Sequence, residues 1–349
     1  MKAARLYGVR DLRVEEVYDP TPGSGEALIQ IHACGVCPSD LRAYLAPRAG
    51  STGMSMPRTP GHEWAGVVVA LGQPADSSIR DGTPPAIAVG QRVVADWRHV
   101  CGTCFQCRRG VFNYCENLQQ GVRGGFAGYG IAPLTQLRVI PDNVSFEEAS
   151  FSEPLACVIQ AHGYTEINLG DDVVIVGAGP IGLLHLQIAR NRGARVIVSD
   201  PIVARLEKAR ELGAHDAIDA SATDAVAKVK ELTEGRGANA VIVAVGGAQP
   251  IHQGLEMAAI NGWVNAFAGT YPPAEMPVDP NLIHYRQIRF TGSHDFTPHH
   301  FTTALKLIQY GIVRVAPLIS HRFSLDEVRE AFETTAHRRG LKSMVQIAS

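Results

Sequence analysis

The chain has 349 residues, of which 46% are hydrophobic and 19% charged, and its formal net charge is -2 at pH 7. A chain of this length is too long for one ordinary core, so we expect two domains. The nearly balanced charge excludes a basic field for nucleic acid, and we expect a small molecule as the partner.

The compartment is indicated by the apolar runs and the cysteines. The first residues build no apolar core of a secretory signal, and the longest apolar stretch, residues 173–184, is broken by glycines and a proline. It falls well short of the roughly 20 residues that span a bilayer. Seven cysteines, an odd number, suit a reducing compartment. We therefore expect a cytoplasmic protein without membrane contact.

The first 150 or so residues alternate short β-rich runs with Gly/Pro turns. The runs are residues 26–32, 66–70, 91–95 and 136–140. Such short runs with turns between them predict a β-barrel-like domain. Residues 73–90, which are rich in Pro, Ala, Asp and Ser, are expected to form an exposed loop.

From Asp172 the pattern changes to strands that alternate with helices. We expect strands at 173–176, 196–198, 240–245 and 263–268, and helices at 180–192 and 204–212. This alternation predicts a parallel, doubly wound sheet.

A tail follows Gly292. It should contain helices at 298–310 and 325–334 and strands at 318–323 and 344–347. These strands either extend the parallel sheet or return to the first domain.

Four cysteines lie within fifteen residues, at Cys101, Cys104, Cys107 and Cys115. Thiolates so close in sequence can converge on one Zn2+ and form a closed, structural site. The alternatives are free thiols or disulfides, and a zinc knot that binds nucleic acid. Only two neighbouring arginines, Arg108 and Arg109, would supply positive charge for binding nucleic acid.

A second group of ligand residues is formed by Cys37 and the run Gly61-His62-Glu63. Its mixed S, N and O donors suit a zinc that keeps an open position for chemistry. Taken singly, Cys37 could be a small buried hydrophobe and His62 a core histidine.

Three further residues belong to this interpretation. Ser39 could pass an alcohol proton outward, and Asp40 could orient the imidazole of His62. Glu153, before Pro154, is a second candidate carboxylate.

A glycine-rich loop follows the strand at 173–176 and opens a helix; its residues are Gly177, Gly179, Pro180, Ile181 and Gly182. In this context its amides and the helix dipole would face a pyrophosphate, although a turn without a ligand is the alternative. Asp200 ends the next strand, where a carboxylate can accept a hydrogen bond from a ribose 2'-OH. We therefore expect NAD rather than NADP. Arg205 lies nearby and weakens this preference, because a cation can accommodate the 2'-phosphate of NADP.

These motifs together resemble the zinc-dependent medium-chain dehydrogenase/reductase superfamily over essentially the whole chain. The similarity is greatest to its polyol branch, with sorbitol (iditol) and threonine dehydrogenases. The resemblance rests on Gly61-His62-Glu63 with Gly66, the four cysteines, Gly124-Gly125-Phe126-Ala127, Glu153-Pro154-Leu155-Ala156, the Gly177 to Gly182 loop and Gly292-Ser293.

The resemblance implies an α/β protein with a catalytic domain around a nucleotide-binding domain. Residues 1–153 and 294–349 would form a GroES-like, β-rich catalytic domain with a structural zinc lobe at about 98–118. Residues 154–293 would form a Rossmann domain that binds NAD, with the active site in the cleft. A homo-oligomer is also implied, a tetramer before a dimer.

The resemblance further implies roles for single residues. Cys37, His62 and Glu63 would hold the catalytic zinc, with water or Glu153 completing the shell, and Ser39 would be the relay hydroxyl. With the four cysteines this makes two zinc ions per chain. Arg42 stands where a relay histidine is common, so we place it among the catalytic candidates with Ser39 and Asp40.

The expected function is hydride transfer between NAD and a secondary alcohol of a polyol, cyclitol or related polyhydroxy compound. The alternative substrate is a hydroxy-amino acid or an anionic sugar derivative, because Arg42, Arg48, Arg58 and Arg98 could contact a carboxylate or phosphate. Outside enzymes, the alternative is a nucleotide-binding relative without turnover.

Overall fold

The computed structural model describes residues 1–46, 56–73, 87–118 and 124–348. It divides into two compact units, Met1–Pro154 with Thr297–Ser349, and Leu155–Phe296. Arg48 and most of the loop expected at 73–90 lie outside the described residues. None of the helices in the described part is long and apolar enough to cross a membrane.

The described ranges contain fifteen strands and eleven α-helices. The strands are β1 Lys2–Gly8, β2 Asp11–Glu16, β3 Glu26–Gly35, β4 Glu63–Leu71, β5 Arg92–Ala95, β6 Tyr129–Pro133, β7 Leu137–Val139, β8 Asp172–Val176, β9 Arg195–Asp200, β10 Asp216–Asp219, β11 Ala238–Val243, β12 Ala258–Ala266, β13 Arg289–Gly292, β14 Ile319–Ser324 and β15 Lys342–Gln346. The helices are α1 Pro38–Leu45, α2 Phe105–Arg108, α3 Phe146–Ser150, α4 Ser152–His162, α5 Pro180–Asn191, α6 Val203–Glu211, α7 Ala225–Leu232, α8 Ala248–Met257, α9 Pro280–His284, α10 Pro298–Gln309 and α11 Val328–Ala336.

The first unit is built on a seven-stranded sheet in the order β14-β15-β3-β4-β5-β7, with β6 also paired to β3. Along β3, alternate residues such as Ala27, Ile29 and Ile31 are buried, as a strand with one face on a core requires. β15 runs antiparallel to β3, with Met344 opposite Gly35. The tail of the chain therefore returns to the first unit.

The core of the first unit fixes the helix that follows Cys37. Tyr44 of α1 packs edge to face on Phe332 of α11, with ring centroids 5.3 Å apart. Phe126 contacts the same ring at 5.4 Å. All three side chains are fully buried, so α1 is held against the core by its last turn.

The second unit is a six-stranded parallel sheet in the order β10-β9-β8-β11-β12-β13. The chain builds outward from β8 to β10 and then restarts at β11 on the other side. The strand order therefore reverses between β8 and β11. The glycine-rich loop follows β8 at this switch point, where doubly wound sheets bind ligands.

The strand predicted at 263–268 begins five residues earlier, at Ala258. Within these added residues, Asn261 adopts a left-handed backbone with φ 62°. The strand continues through this residue because its pairing with β11 is irregular there. Ala238 of β11 pairs with Ala258, but Ala240 pairs with Trp263.

Candidate catalytic site and its two ligand clusters

Cys37 lies at the junction between β3 and α1. It is the residue that precedes the first turn of the helix, and its carbonyl accepts the amides of Asp40 at 3.0 Å and Leu41 at 3.2 Å. Pro38 takes the first helical position, where no amide is needed. The sulfur is therefore presented from a fixed strand-to-helix turn.

His62 and Glu63 are delivered by a glycine turn before β4. Gly61 has φ 99°, and a Cβ there would come within 2.9 Å of the Cys34 sulfur and of the Phe126 ring. Its carbonyl accepts the amides of Gly124 and Gly125, both at 3.1 Å. Only glycine satisfies both the backbone conformation and the close approach.

The ligand atoms of Cys37, His62 and Glu63 lie within 4.8 Å of one another. His62 directs Nδ1 at Asp40 Oδ1, 3.6 Å away, and Nε2 at Glu153 Oε1, 3.8 Å away. Nε2 is therefore the nitrogen available to a metal, while Asp40 orients the ring. One thiolate, one imidazole and one carboxylate suit Zn2+ by donor chemistry.

Charge around these residues is strongly coupled. Burial alone would lower the pKa of His62, but Asp40 and Cys37 raise it well above its ordinary value. Burial raises the pKa of the Cys37 thiol. Burial alone would also raise the pKa of Asp40, yet His62 and the Gly61 amide hold it below its ordinary value. A metal ion must displace protons from His62 and Cys37, so its affinity should rise with pH.

Lys342 is a residue of this site that the sequence analysis missed. Its ammonium forms a buried ion pair with Glu63, and it lies 5.8 Å from the centre of the Phe151 ring. A Cβ on Gly35 would lie 2.3 Å from Glu63 Oε2 and 2.8 Å from Lys342 Cε, so this glycine makes room for the pair. The available signal was weak: a lysine that opens a strand whose apolar residues are Met344 and Val345.

Trp97 is the second residue that was missed. Its indole N–H donates to Glu153 Oε1 at 3.2 Å, and its ring stands edge to face with His62 at 6.1 Å. Burial raises the pKa of Glu153 to about 7. The indole hydrogen bond fixes one carboxylate oxygen of Glu153 beside the imidazole.

The remaining catalytic candidates lie on α1. Ser39 Oγ is 3.4 Å from the Cys37 sulfur, so its hydroxyl is next to the ligand cluster. Arg42 is exposed, and no acidic side chain of the described residues forms an ion pair with it. Arg98, considered above as an anion contact, is only 3% exposed and donates to the Asn113 carbonyl.

The four cysteines of the 98–118 lobe converge as a second cluster. The sulfurs of Cys101, Cys104, Cys107 and Cys115 lie within 4.8 Å of one another. Backbone amides point at three of these sulfurs over 3.3 to 3.4 Å. Hydrogen bonds from the amides of Thr103 and Cys104 lower the pKa of Cys101 to about 5. Amide donors around four thiolates fit a closed Zn2+ site.

The glycine-rich loop leads into α5 through Gly179 and Pro180. A Cβ on Gly182 would lie 1.7 Å from the Gly177 carbonyl oxygen, so the turn tolerates only glycine there. The first amides of α5 have no acceptor within the helix and can therefore donate to an anion such as a pyrophosphate.

Asp200 and Arg205 lie beside this loop. Asp200 accepts the amides of Ala178 at 2.7 Å and Ile202 at 2.8 Å, one on each oxygen. Each oxygen keeps a further lone pair for a ribose hydroxyl. Arg205 Nη1 is 3.8 Å from the position of a Cβ on Gly179, so its guanidinium lies on the loop.

The chain matches two known domain families. Residues 23–142 match the alcohol dehydrogenase GroES-like domain, and residues 180–310 match the zinc-binding dehydrogenase domain. These matches confirm the expected fold class, with a GroES-like and a Rossmann-like part.

Individual relatives cover nearly the whole chain. A sorbitol dehydrogenase of Halalkalibacterium halodurans is 32% identical over 97% of this chain and 96% of its own length. An L-threonine 3-dehydrogenase of Pyrococcus abyssi is 32% identical over 95% of this chain and 93% of its own. The structure of a zinc-binding dehydrogenase from Sinorhizobium meliloti, bound to NADP, superposes with a TM-score of 0.88 at 32% identity, covering 99% of this chain and 98% of that chain.

The expected class of enzyme, a zinc-dependent oxidoreductase that uses a nicotinamide dinucleotide, is confirmed by these similarities. The two ligand clusters described above are both ones that could hold zinc. The chain belongs to the zinc-dependent medium-chain dehydrogenase/reductase superfamily, in its polyol and threonine dehydrogenase branch.

Proposed function

We propose that the protein oxidises a secondary alcohol of a polyol, cyclitol or related polyhydroxy compound to a ketone, with NAD+ as the hydride acceptor. The observation that carries this proposal is the convergence of Cys37, His62 and Glu63 within 4.8 Å in a chain with a nucleotide loop. The sorbitol dehydrogenase relative supports a polyol as the substrate.

Each group of the site has a separate role in the proposed reaction. When bound, the zinc acts as a Lewis acid on the substrate hydroxyl, and the nicotinamide takes the hydride. Ser39 accepts the hydroxyl proton on Oγ and passes it outward, which its place beside the Cys37 sulfur supports. Asp40 keeps His62 in the tautomer with a free Nε2.

We propose that water, rather than Glu153, would complete the set of ligands of the metal. Glu153 lies outside the group of three residues whose ligand atoms converge, and its Oε1 is held by the Trp97 indole. With Cys37, His62 and Glu63 as protein ligands, an exchangeable water would leave the metal open to the substrate oxygen.

The second zinc and the NAD are assigned to two further groups of residues. The four cysteines hold a second, structural zinc, and the loop from Gly177 to Gly182 with Asp200 binds NAD. Arg205 lies on this loop as well and would be the contact for a 2'-phosphate.

Assembly and compartment are further parts of this proposal. We infer a homotetramer or homodimer, because β13 is an edge strand whose outer side has no partner among the described residues. A cytoplasmic location is supported by the seven cysteines, five of which lie in the two ligand clusters rather than in disulfides.

A second candidate substrate is a hydroxy-amino acid or an anionic sugar derivative. Arg42 favours it, because an exposed guanidinium on α1, five residues after Cys37, can bind a carboxylate or phosphate bidentately. The L-threonine 3-dehydrogenase relative supports the same class.

A substrate screen tests the proposal. Purified protein of known zinc content is given NAD+ or NADP+ with polyols, cyclitols, hydroxy acids, hydroxy-amino acids and phosphorylated polyols, and reduced nicotinamide is followed by absorbance. We expect two zinc ions per chain and the highest kcat/KM on a neutral polyhydroxy compound with NAD+. Fewer than two zinc ions and no turnover on any alcohol would instead indicate a nucleotide-binding relative.

A further inference from the structure

Trp97 connects the candidate ligand cluster with the four-cysteine lobe. Its indole N–H holds Glu153 at 3.2 Å, and its ring packs on His62 with centroids 6.1 Å apart. The guanidinium carbon of Arg98 lies over the same indole, 5.0 Å from the centre of the ring. The orientation of Trp97 therefore depends on Arg98 as well as on the residues of the site.

Arg98 is itself fixed by the lobe. It is only 3% exposed, and its Nη2 donates to the carbonyl of Asn113 at 2.7 Å. Asn113 is also buried and lies in the short 3-10 helix Phe112–Tyr114, directly before Cys115. A buried guanidinium needs such an acceptor, so the position of this carbonyl constrains the position of Arg98.

The position of the Asn113 carbonyl depends in turn on whether the lobe is ordered. Lobes closed by four thiolates gain their order from the metal, because little apolar core lies between the ligands. The lobe has only three buried hydrophobic residues, which are Cys104, Cys107 and Cys115 themselves.

We propose that Arg98 is a positioning residue through which the four-cysteine lobe sets the orientation of Trp97, and thereby of Glu153 and His62. The metal of the lobe then contributes to turnover as well as to stability. Loss of order in the lobe releases the Asn113 carbonyl, Arg98 swings away from the indole, and Trp97 no longer holds Glu153. The kcat part of the test rests on the proposed function, but a spectroscopic readout does not.

The readout is fluorine NMR of protein labelled with fluorotryptophan. The chain has three tryptophans, Trp64, Trp97 and Trp263, so three resonances are expected, and Trp97→Phe assigns one of them. Trp64 lies in the core of the first unit and Trp263 in the second sheet. Their resonances report on the folding of each unit.

Four proteins form the test: wild type, Arg98→Met, Cys104→Ser and the double variant. Each single change should move the Trp97 resonance and lower kcat about tenfold, with KM changed less than about twofold. The double variant should be no slower than the slower single variant, because both changes remove the same connection. Independent losses that multiply to about a hundredfold, or a Trp97 resonance that stays in place in Arg98→Met, would overturn the proposal.

Two matched variants separate positioning from general damage. Arg98→Lys keeps one donor toward Asn113 and should restore most of kcat and of the Trp97 resonance relative to Arg98→Met, which keeps the test decisive even if Cys104→Ser does not fold. Arg109→Met removes an exposed arginine that covers Phe105 on the same lobe and should change neither readout. If Arg109→Met moves both as far as Arg98→Met does, the effect is loss of lobe stability and the proposal fails.

The two proposals can fail separately. A Trp97 resonance that moves as expected in a protein without turnover on any alcohol would refute the proposed function alone. Normal turnover with an unmoved Trp97 resonance in Arg98→Met would refute the role of Arg98 alone.

Discussion

Glu63 and Lys342 form an ion pair inside the first unit, with 2% and 6% of their side chains exposed. Burial alone would lower the pKa of Lys342, but Glu63 and Cys37 raise it above its ordinary value, so the amine is charged at neutral pH. The pair places a fixed cation beside a candidate metal ligand. In the protein without metal, Lys342 is then the main compensation for the buried carboxylate.

Lys342→Met should destabilise the protein without metal by about 3 kcal/mol, because it leaves the Glu63 carboxylate buried without its cation. Zinc should restore more stability to this variant than to wild type, since a bound cation compensates the same charge. Thermal unfolding with and without zinc measures both effects. Lys2→Met is the control, because it removes an exposed pair with Asp326 that contributes little to stability. Equal melting temperatures for the two variants would contradict this role.

Cys37→Ala and His62→Ala should abolish turnover while NAD binding persists, because the two residues belong to the ligand cluster and not to the nucleotide loop. Titration of NADH fluorescence measures binding, and metal analysis should show one zinc ion fewer per chain. Cys157→Ala, which removes a thiol outside both clusters, is the control. Loss of cofactor affinity in parallel with rate would count against this division of roles.

Asp200→Ser should narrow or reverse the preference for NAD+ over NADP+, because the carboxylate would repel a 2'-phosphate and hydrogen-bond a ribose hydroxyl. A loss of about ten- to a hundredfold in kcat/KM with NAD+ is expected. Asp219→Ser is the matched control, because it makes the same change at the residue opposite Asp200, at the end of the neighbouring strand β10. Wild-type protein that uses both cofactors equally well would show that Asp200 does not select between them.

Arg42→Ala should lower kcat/KM for the best substrate by about ten- to a hundredfold if the guanidinium contacts the substrate, with zinc content unchanged. An anionic substrate should lose more than a neutral polyol. Arg42→Lys keeps the charge without the bidentate geometry, so it should recover part of the loss for an anion. Unchanged kcat/KM for both substrate types would assign Arg42 to the scaffold.

His185 should make the protein sensitive to acid. Burial lowers its pKa from 6.5 to about 3, and its Nδ1 lies 3.2 Å from Nε2 of the buried His162. As pH falls below 6.5, His185 becomes protonated in the unfolded chain but stays neutral in the folded protein. The free energy of unfolding should therefore fall by about 2 kcal/mol for this residue between pH 6.5 and 5.

The measurement is urea unfolding at several pH values between 7.5 and 5. His185→Gln should be less stable than wild type at pH 7.5 but should lose less stability on acidification. His252→Gln, which removes an exposed histidine near Glu256, should keep the wild-type slope. An unchanged slope in His185→Gln would mean that this histidine takes up its proton in the folded state.

Local motifs made most of this architecture predictable. Three motifs consist of residues that are close in sequence: the four cysteines, the glycine-rich loop and Gly61-His62-Glu63. Their spacing alone was enough to predict that their atoms lie together. Lys342 and Trp97 escaped prediction because their partners are distant in the sequence. Lys342 of β15 meets Glu63 of β4 across β3, and Trp97, which follows β5, meets Glu153 at the start of α4. The start of β12 was missed because its pairing with β11 is irregular between Ala238 and Ala240.

The return of β15 to β3 also determines the order in which the protein can mature on the ribosome. Residues 155–296 form a contiguous unit and can fold as soon as they emerge. The sheet of the first unit must wait for the last strand, because β15 occupies the place between β3 and β14. Until then Glu63 has no lysine beside it, so the ligand cluster takes its final form only after β15 has left the ribosome.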